Sequence, residues 1–184
     1  MNELAGKKIA VFIEEIYNEH EFWYPKFRLL EAGATVVVAG TAADKEYKSK
    51  IGFPAKSDVA FADLNADDFD GVVIPGGYAP DFMRRSEAAR AFVRAMNEKD
   101  KLVAFICHAG WMVISAGIVK NKEVTSVAAI KDDLVNAGAR WRDAAVVTDG
   151  NFVSSRTPAD LPEFMKAIIA HYEKDFVGTM RLGV

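Results

Sequence analysis

The sequence predicts an α/β fold with a mostly parallel sheet that is covered by helices on both faces. Apolar runs of strand length, rich in Val, Ile and Phe, recur along the chain. Amphipathic stretches with helical spacing lie between these runs. Strands that alternate with helices imply parallel pairing with right-handed crossovers. Because 184 residues fit one ordinary domain, we expect a single domain over residues 1–184.

The first β-α-β unit lies near the start of the chain. Lys8–Ile13 and Thr35–Ala39 have the composition of buried strands. Between them, Phe22–Glu31 has apolar residues near helical spacing, and Ala32-Gly33 supplies a C-terminal stop. The following stretch, Thr41–Ala66, predicts either a short hairpin or an irregular insertion, and we assign it no function.

The remaining elements follow from the same signals of apolar runs, caps and turns. Ser86 is placed to cap a helix, Gly117 and Gly138 end helices, and an Asp-Gly pair at 149–150 indicates a hairpin turn. The predicted elements are, in order, strand Gly71–Ile74, helix Glu87–Glu98, strand Leu102–Ile106, a helix after Cys107, a strand around Val124, helix Ile130–Ala137, a hairpin of Val146-Val147 with Phe152-Val153, and helix Leu161–Tyr172.

Composition and charge exclude several classes of function. The net charge is −3 and the basic residues are spread among acidic ones, so no basic stripe for nucleic acid exists. No apolar run approaches the roughly 20 residues that a membrane span needs, and the start lacks the pattern of a secretory signal. We therefore expect a cytoplasmic protein without nucleic-acid or membrane partners. The single cysteine cannot form an intramolecular disulfide.

That cysteine, Cys107, follows a predicted buried strand, and small residues after it allow an abrupt turn into a helix. Ligands of open parallel sheets gather beyond the carboxyl ends of the strands, which is where Cys107 would lie. The helix start would favour the thiolate, and we expect a lowered pKa for this thiol. The alternative is a buried cysteine that acts as a small hydrophobic residue.

Motifs spread over nearly the whole chain carry a family resemblance. They are Tyr24-Pro25 with Arg28-Leu29, Ile74–Asp81, Ile106-Cys107-His108, Ile130–Gly138, Asp149-Gly150-Asn151 and Ser154–Pro162. As a set they resemble the ThiJ/PfpI superfamily, in its PfpI-like intracellular protease/amidase branch. The resemblance implies a three-layer flavodoxin-like (Rossmann-like) sandwich, similar to class I glutamine amidotransferases.

The resemblance also implies roles for several residues. Cys107 is the nucleophile and His108 its general acid/base partner. Asp81 stands where the family carries an acid, usually glutamate, that reaches the histidine across a subunit interface, which implies a homodimer or hexamer. The alternative is that Asp81 caps the following turn. The elbow reads Cys-His-Ala-Gly where the family usually has Cys-His-Gly-Pro, and Asn18 replaces a common acid, so the pocket and the acid/base detail can differ.

Two further residues complete the predicted site. Glu21 matches the family's glutamate that points from the first helix at the cysteine. It could donate a hydrogen bond to the thiolate when protonated, or act as a base when ionised. Both roles require that its pKa is perturbed. Its neighbours Glu14, Glu15 and Glu19 are interpreted mostly as solvated surface charges. Gly77, together with the N–H of His108, is a candidate oxyanion donor, although a plain turn is the alternative.

We expect no cofactor and no metal. His20, His108 and His171 lie far apart in sequence, and no phosphate-binding glycine loop occurs. We interpret Trp111 and the other aromatic residues near the elbow as packing residues.

Three functions remain open at this point. The first is a PfpI-like cysteine hydrolase acting on a peptide, amide or related carbonyl substrate. The second is a cofactor-free glyoxalase or deglycase acting on methylglyoxal or glycated groups. The third is a non-catalytic stress protein that senses oxidants through Cys107 or acts as a chaperone.

Overall fold

A seven-stranded sheet forms the centre of the computed structural model, which describes residues 2–181, with side chains described through residue 173. The strands are β1 Lys8–Phe12, β2 Thr35–Gly40, β3 Glu46–Lys48, β4 Pro54–Lys56, β5 Val59–Ala60, β6 Gly71–Ile74, β7 Leu102–Ile106, β8 Glu123–Val124, β9 Arg140–Trp141, β10 Val146–Asp149 and β11 Phe152–Ser155. The α-helices are α1 Glu19–Glu31, α2 Ala79–Met83, α3 Glu87–Glu98, α4 Gly110–Ser115, α5 Lys131–Asn136 and α6 Leu161–Arg181.

The central sheet has the order β10-β11-β7-β6-β1-β2-β5. Every neighbouring pair is parallel except β10 and β11, which form an antiparallel hairpin. The α/β class with a mostly parallel sheet is therefore confirmed. Because β1, β6 and β7 are adjacent and parallel, the loops after their carboxyl ends meet at one edge of the sheet.

These three central strands account for much of the core. Ile9–Phe12, Val72–Ile74 and Leu102–Ile106 are fully buried. Strands buried on both faces read as continuous apolar runs, and this is why the sequence identified them.

The predicted helix caps are largely confirmed, with one difference that matters for the site. The Ser86 hydroxyl accepts a hydrogen bond from the Ala89 N–H at the start of α3 (3.3 Å). Helix α1 begins at Glu19, earlier than predicted, because the Asn18 side chain accepts hydrogen bonds from the N–H groups of His20 and Glu21. Glu21 therefore lies in the first turn of this helix.

The segment between β2 and β6 contains the short hairpin that was one of its two predicted forms. Strands β3 and β4 pair antiparallel, and β5 extends the edge of the central sheet. The two-residue strand β9, which pairs with β8, was not predicted, since so short a strand carries no periodicity. The single domain over residues 1–184 stays a prediction. None of the helices within residues 2–181 has both the length and the apolar character that crossing a membrane requires.

Candidate active site

Cys107 lies directly after β7, at the edge of the sheet where β1 and β6 also end. Its φ is +61°, a left-handed conformation that a non-glycine residue rarely adopts and that costs on the order of 1–3 kcal/mol. A 3-10 turn over Cys107–Ala109 and then α4 follow at once. Gly110 permits this turn to pack closely, because a Cβ atom there would lie 2.9 Å from Ile130 Cδ1. The surrounding structure thus holds the cysteine in a strained elbow.

The predicted lowering of the Cys107 pKa is wrong. The residue is 9% exposed, and burial, followed by the charge of the nearby Glu21 carboxylate, raises the pKa of the thiol to about 12. The N–H groups of His108 and Gly77 act to lower the pKa, but their effect is smaller than that of burial and of the Glu21 charge. Helix α4 has only six residues, so its dipole is small. Cys107 is therefore a thiol at rest and needs a base before it can attack.

Glu21 is fully buried in the first turn of α1, against the cysteine. Its Oε2 atom accepts a hydrogen bond from the Gly76 N–H at 2.7 Å. Burial raises the pKa of this carboxyl group to about 7, while the hydrogen bonds from Gly76 and from the Cys107 thiol and the charge of Lys50 act to lower it. The perturbed pKa that either role of Glu21 requires is present in the structure.

The Gly76-Gly77 pair lets three chain segments approach closely. A Cβ atom on Gly76 would lie 2.6 Å from Glu21 Oε2 and 2.8 Å from Cys107 Cβ. Gly77 has a φ of +80°, and its Cβ would collide with the backbone of the loop before α1. The N–H groups of Gly77 and His108 both act on the Cys107 sulfur so as to lower the pKa of the thiol. This places two backbone donors where negative charge would develop on sulfur or on a bound carbonyl oxygen.

His108 lies beside the cysteine but has no acidic partner within the described chain. Its Nδ1 atom is 3.4 Å from Cys107 Sγ, and its ring packs near Trp111 with centroids 5.2 Å apart. Burial and the charge of Lys50 lower the pKa of the imidazole. His108 is therefore neutral at neutral pH and can accept or donate one proton through its ring nitrogens.

Asp81 is not brought to His108 within one chain. It lies in α2, its side chain is 44% exposed, and its carboxylate forms an ion pair with Arg85 one turn later. The N-cap of this helix is Tyr78, which makes no side-chain capping bond. The alternative that Asp81 caps the turn is therefore wrong, and contact with a histidine of a second copy stays a prediction.

The interpretation of the acidic loop as mostly solvated is wrong for Glu14. This residue is 5% exposed, and its carboxylate accepts hydrogen bonds from the Thr41 hydroxyl and from the Glu15 N–H. Lys45 lies 3.8 Å away as an ion-pair partner. Burial raises the pKa of Glu14. No local pattern indicates this burial, because the residues that cover Glu14 come from the later hairpin region.

A cavity of about 330 Å³ opens at the cysteine. It is lined by Asn18, Lys50, Gly77, Tyr78, Cys107, His108 and Trp111. Lys50 was missed, since it lies in a segment to which we assigned no function and no local motif marks it. Trp111 packs against the core and donates from Nε1 to Asp133 Oδ2 (2.8 Å), but it also forms a wall of this cavity. Within the described residues, no cluster of three or more His, Cys, Asp or Glu side chains could hold a metal ion.

Comparison with known proteins identifies relatives along nearly the whole chain. Residues 7–171 match the family model described as the DJ-1/PfpI family. The chain is 41% identical over 162 residues to "Deglycase TK1284" of Thermococcus kodakarensis, covering 88% of this chain and 97% of that protein. It is 40% identical over 159 residues to "Putative cysteine protease YraA" of Bacillus subtilis, covering 86% and 94% of the two chains.

Solved structures show the same architecture. A two-domain protein from Anabaena variabilis, with DJ-1/ThiJ/PfpI-like and ferritin-like domains, superimposes with a TM-score of 0.88 at 41% identity. The match covers 89% of this chain and 47% of that one, so this chain spans about half its length. DJ-1beta of Drosophila melanogaster superimposes with a TM-score of 0.84 at 28% identity, covering 95% and 97% of the two chains.

Proposed function

The chain belongs to the DJ-1/PfpI family, and we propose that it is a cysteine-dependent enzyme that hydrolyses small carbonyl adducts, as a deglycase does. The observation that carries this proposal is the buried Glu21 carboxyl group against the Cys107 thiol. A thiol with a pKa of about 12 needs a base, and a carboxyl group with a pKa of about 7 can serve as one at neutral pH.

The reaction proceeds from an adduct in which an α-oxoaldehyde has combined with an amine. The Cys107 sulfur bonds to the carbon that carried the aldehyde, the amine leaves, and Glu21 transfers the thiol proton to it. A hydrogen then moves from this carbon to the neighbouring carbonyl carbon, and the hydroxyl proton moves to the oxygen of that carbonyl, which gives a thioester of a 2-hydroxy acid. Water cleaves the thioester. The balance is one adduct and one water consumed, and one amine and one hydroxy acid released, with the thiol regenerated.

The backbone donors and the cavity size support this reaction class. The N–H groups of Gly77 and His108 can stabilise the oxyanion that forms when water adds to the thioester carbonyl. A cavity of about 330 Å³ is at the small end of ligand pockets, which range over roughly 300–1,000 Å³. This cavity volume matches the adduct of a three-carbon oxoaldehyde better than it matches an extended peptide.

A second candidate, amide hydrolysis, is favoured by the position of His108. Its Nδ1 atom lies 3.4 Å from the thiol, as a general base in a cysteine hydrolase would. Such an imidazole works best with a carboxylate behind it. Asp81 of a second copy is our proposal for that carboxylate, so this activity would require a homo-oligomer.

The decisive experiment measures lactate release from the methylglyoxal adduct of Nα-acetyl-lysine, beside cleavage of a fluorogenic peptide amide. Wild type, Cys107→Ala and Glu21→Gln are compared at matched purity. We expect lactate from the wild type, none from Cys107→Ala, and strongly reduced formation by Glu21→Gln. Cys107-dependent amide cleavage without lactate would replace the deglycase assignment with the hydrolase. If neither product forms, the enzyme proposal fails, and peroxide oxidation of Cys107, read by intact mass, then tests the sensor role.

A further inference from the structure

Among the described residues that line the cavity at Cys107, one carries a formal charge, and that charge is positive. Lys50 supplies it, and none of these lining residues is a carboxylate. The Glu21 carboxyl group lies behind the sulfur, fully buried and bound to the Gly76 N–H, so it does not face the opening. His108 is neutral at neutral pH. Within one copy of the chain, a substrate that enters this cavity therefore meets one unbalanced cation.

Lys50 has no carboxylate within ion-pair distance among the described residues, and an ordered turn presents it. Its N–H donates to the Tyr17 carbonyl at 2.9 Å. The Ser49 hydroxyl accepts hydrogen bonds from the N–H groups of Ile51 and Phe53, at 3.2 and 3.0 Å. The Tyr17 hydroxyl in turn donates to the Phe53 carbonyl at 2.7 Å. These bonds fix the backbone of Lys50 at the cavity while its side chain stays exposed.

Other lysines of the same hairpin region are used differently. Lys45 pairs with the buried Glu14, and Lys56 pairs with Asp44. The charge of Lys50 instead acts on the reacting groups, since it lowers the pKa of both Glu21 and His108. Lys50 therefore combines a place in the lining of the cavity with a charge that acts on both of these groups.

We propose that Lys50 binds an anionic group on the substrate, so that the site prefers carbonyl compounds or adducts that carry a carboxylate or a similar anion away from the reacting carbon. This deepens the proposed function and rests on it for the identity of the substrate. The lining residues Tyr78 and Trp111 supply apolar walls for the body of such a compound. Free amino-acid adducts with an open carboxylate fit this description, whereas adducts within a neutral backbone do not.

The anion preference can be measured without assuming any enzymatic activity. Cys107 is the sole cysteine of the chain, so alkylation by iodoacetate or iodoacetamide is read from intact mass. The two reagents share the reacting carbon and differ in charge. Their rate ratio cancels any change in the reactivity of the thiol, because both rates contain it equally. The variants are Lys50→Met and Lys50→Arg, with Lys48→Met as a control that removes an exposed charge outside the cavity.

We expect the iodoacetate-to-iodoacetamide ratio to fall about fivefold in Lys50→Met, the scale of one solvent-exposed ion pair. Lys50→Arg and Lys48→Met should keep the wild-type ratio. In 1 M salt, where the Debye length is about 3 Å, wild type and Lys50→Met should converge. An unchanged ratio in Lys50→Met, or an equal fall in Lys48→Met, would overturn the inference.

A second comparison uses methylglyoxal adducts of Nα-acetyl-lysine and of its neutral amide. Wild type should release lactate from the carboxylate form with a kcat/KM about fivefold higher, and Lys50→Met should lose that preference. Equal rates for both adducts in the wild type would refute the role of Lys50 while leaving the deglycase assignment intact. If neither adduct releases lactate, the deglycase assignment itself is refuted. The alkylation ratio would still decide the anion preference.

Discussion

Replacing Glu21 with glutamine should make the protein more stable at alkaline pH and inactive at the same time. Glutamine keeps the volume of the side chain, and its carbonyl oxygen can still accept the hydrogen bond from the Gly76 N–H. It removes the buried charge and the base. The same substitution should therefore raise stability and abolish activity, a trade-off that is common for strained or charged active-site groups.

The size of the stability effect follows from the pKa of Glu21. A carboxyl group whose pKa rises from 4.5 to about 7 on folding binds its proton more tightly in the native state. The contribution of Glu21 to stability is therefore greatest below pH 4.5 and is lost as the pH rises from 4.5 to 7. At about 1.4 kcal/mol per pH unit, the loss is on the order of 3 kcal/mol. An amide hydrogen left unpaired in the variant costs about 1 kcal/mol.

Urea unfolding at pH 5 and pH 8 tests this expectation. The free energy of unfolding of Glu21→Gln should exceed that of the wild type by about 1–3 kcal/mol at pH 8 and lose that advantage at pH 5. Glu31→Gln, which changes an exposed carboxylate at the other end of α1, is the matched control. Lactate formation by Glu21→Gln should fall by about 10²–10⁴-fold, the usual contribution of a general base.

A Glu21→Gln protein that is no more stable than the wild type at pH 8 would refute the buried charge at Glu21, because its removal would then bring no gain in stability. Retained lactate formation would refute the role of Glu21 as the base, whatever the stability.

Three further predictions concern the rest of the site. Gly76→Ala should lower the free energy of unfolding by about 1–3 kcal/mol and reduce activity, since its Cβ would overlap Glu21 and Cys107; urea unfolding with unchanged stability would contradict this. The His108 ring should titrate below pH 6.5 by NMR, and a midpoint above 6.5 would contradict its burial. Asp81→Asn should reduce any peptide-amide cleavage while leaving the adduct reaction intact, and equal amide cleavage by both proteins would remove the proposed contact between copies.

Much of the fold could be predicted because its signals are local. The strands β1, β6 and β7 are buried on both faces and therefore appear as unbroken apolar runs. The cap at Ser86 and the hairpin of β10 and β11 depend on single residues at fixed positions. The elbow at Cys107 was likewise visible as a strand followed at once by small residues.

The chemistry of the site depends on contacts between distant segments, and the sequence was a poorer guide there. The helix start after Cys107 suggested a low pKa, whereas the burial of the thiol against Glu21 of α1 gives the opposite shift. Glu14 is covered by Thr41 and Lys45 of a later segment, so its burial had no local signal. Lys50 reaches the cavity only because its turn is bonded to the loop before α1.

The most direct test of the account is the pKa of the Cys107 thiol, measured from the pH dependence of iodoacetamide alkylation in wild type and Glu21→Gln. We expect a wild-type rate that still rises at pH 10, and a curve shifted to lower pH in Glu21→Gln, because burial and the Glu21 carboxylate hold the proton on sulfur. A wild-type rate that reaches its plateau below pH 7 would contradict the account, since Cys107 would then be a thiolate at rest and would need no base.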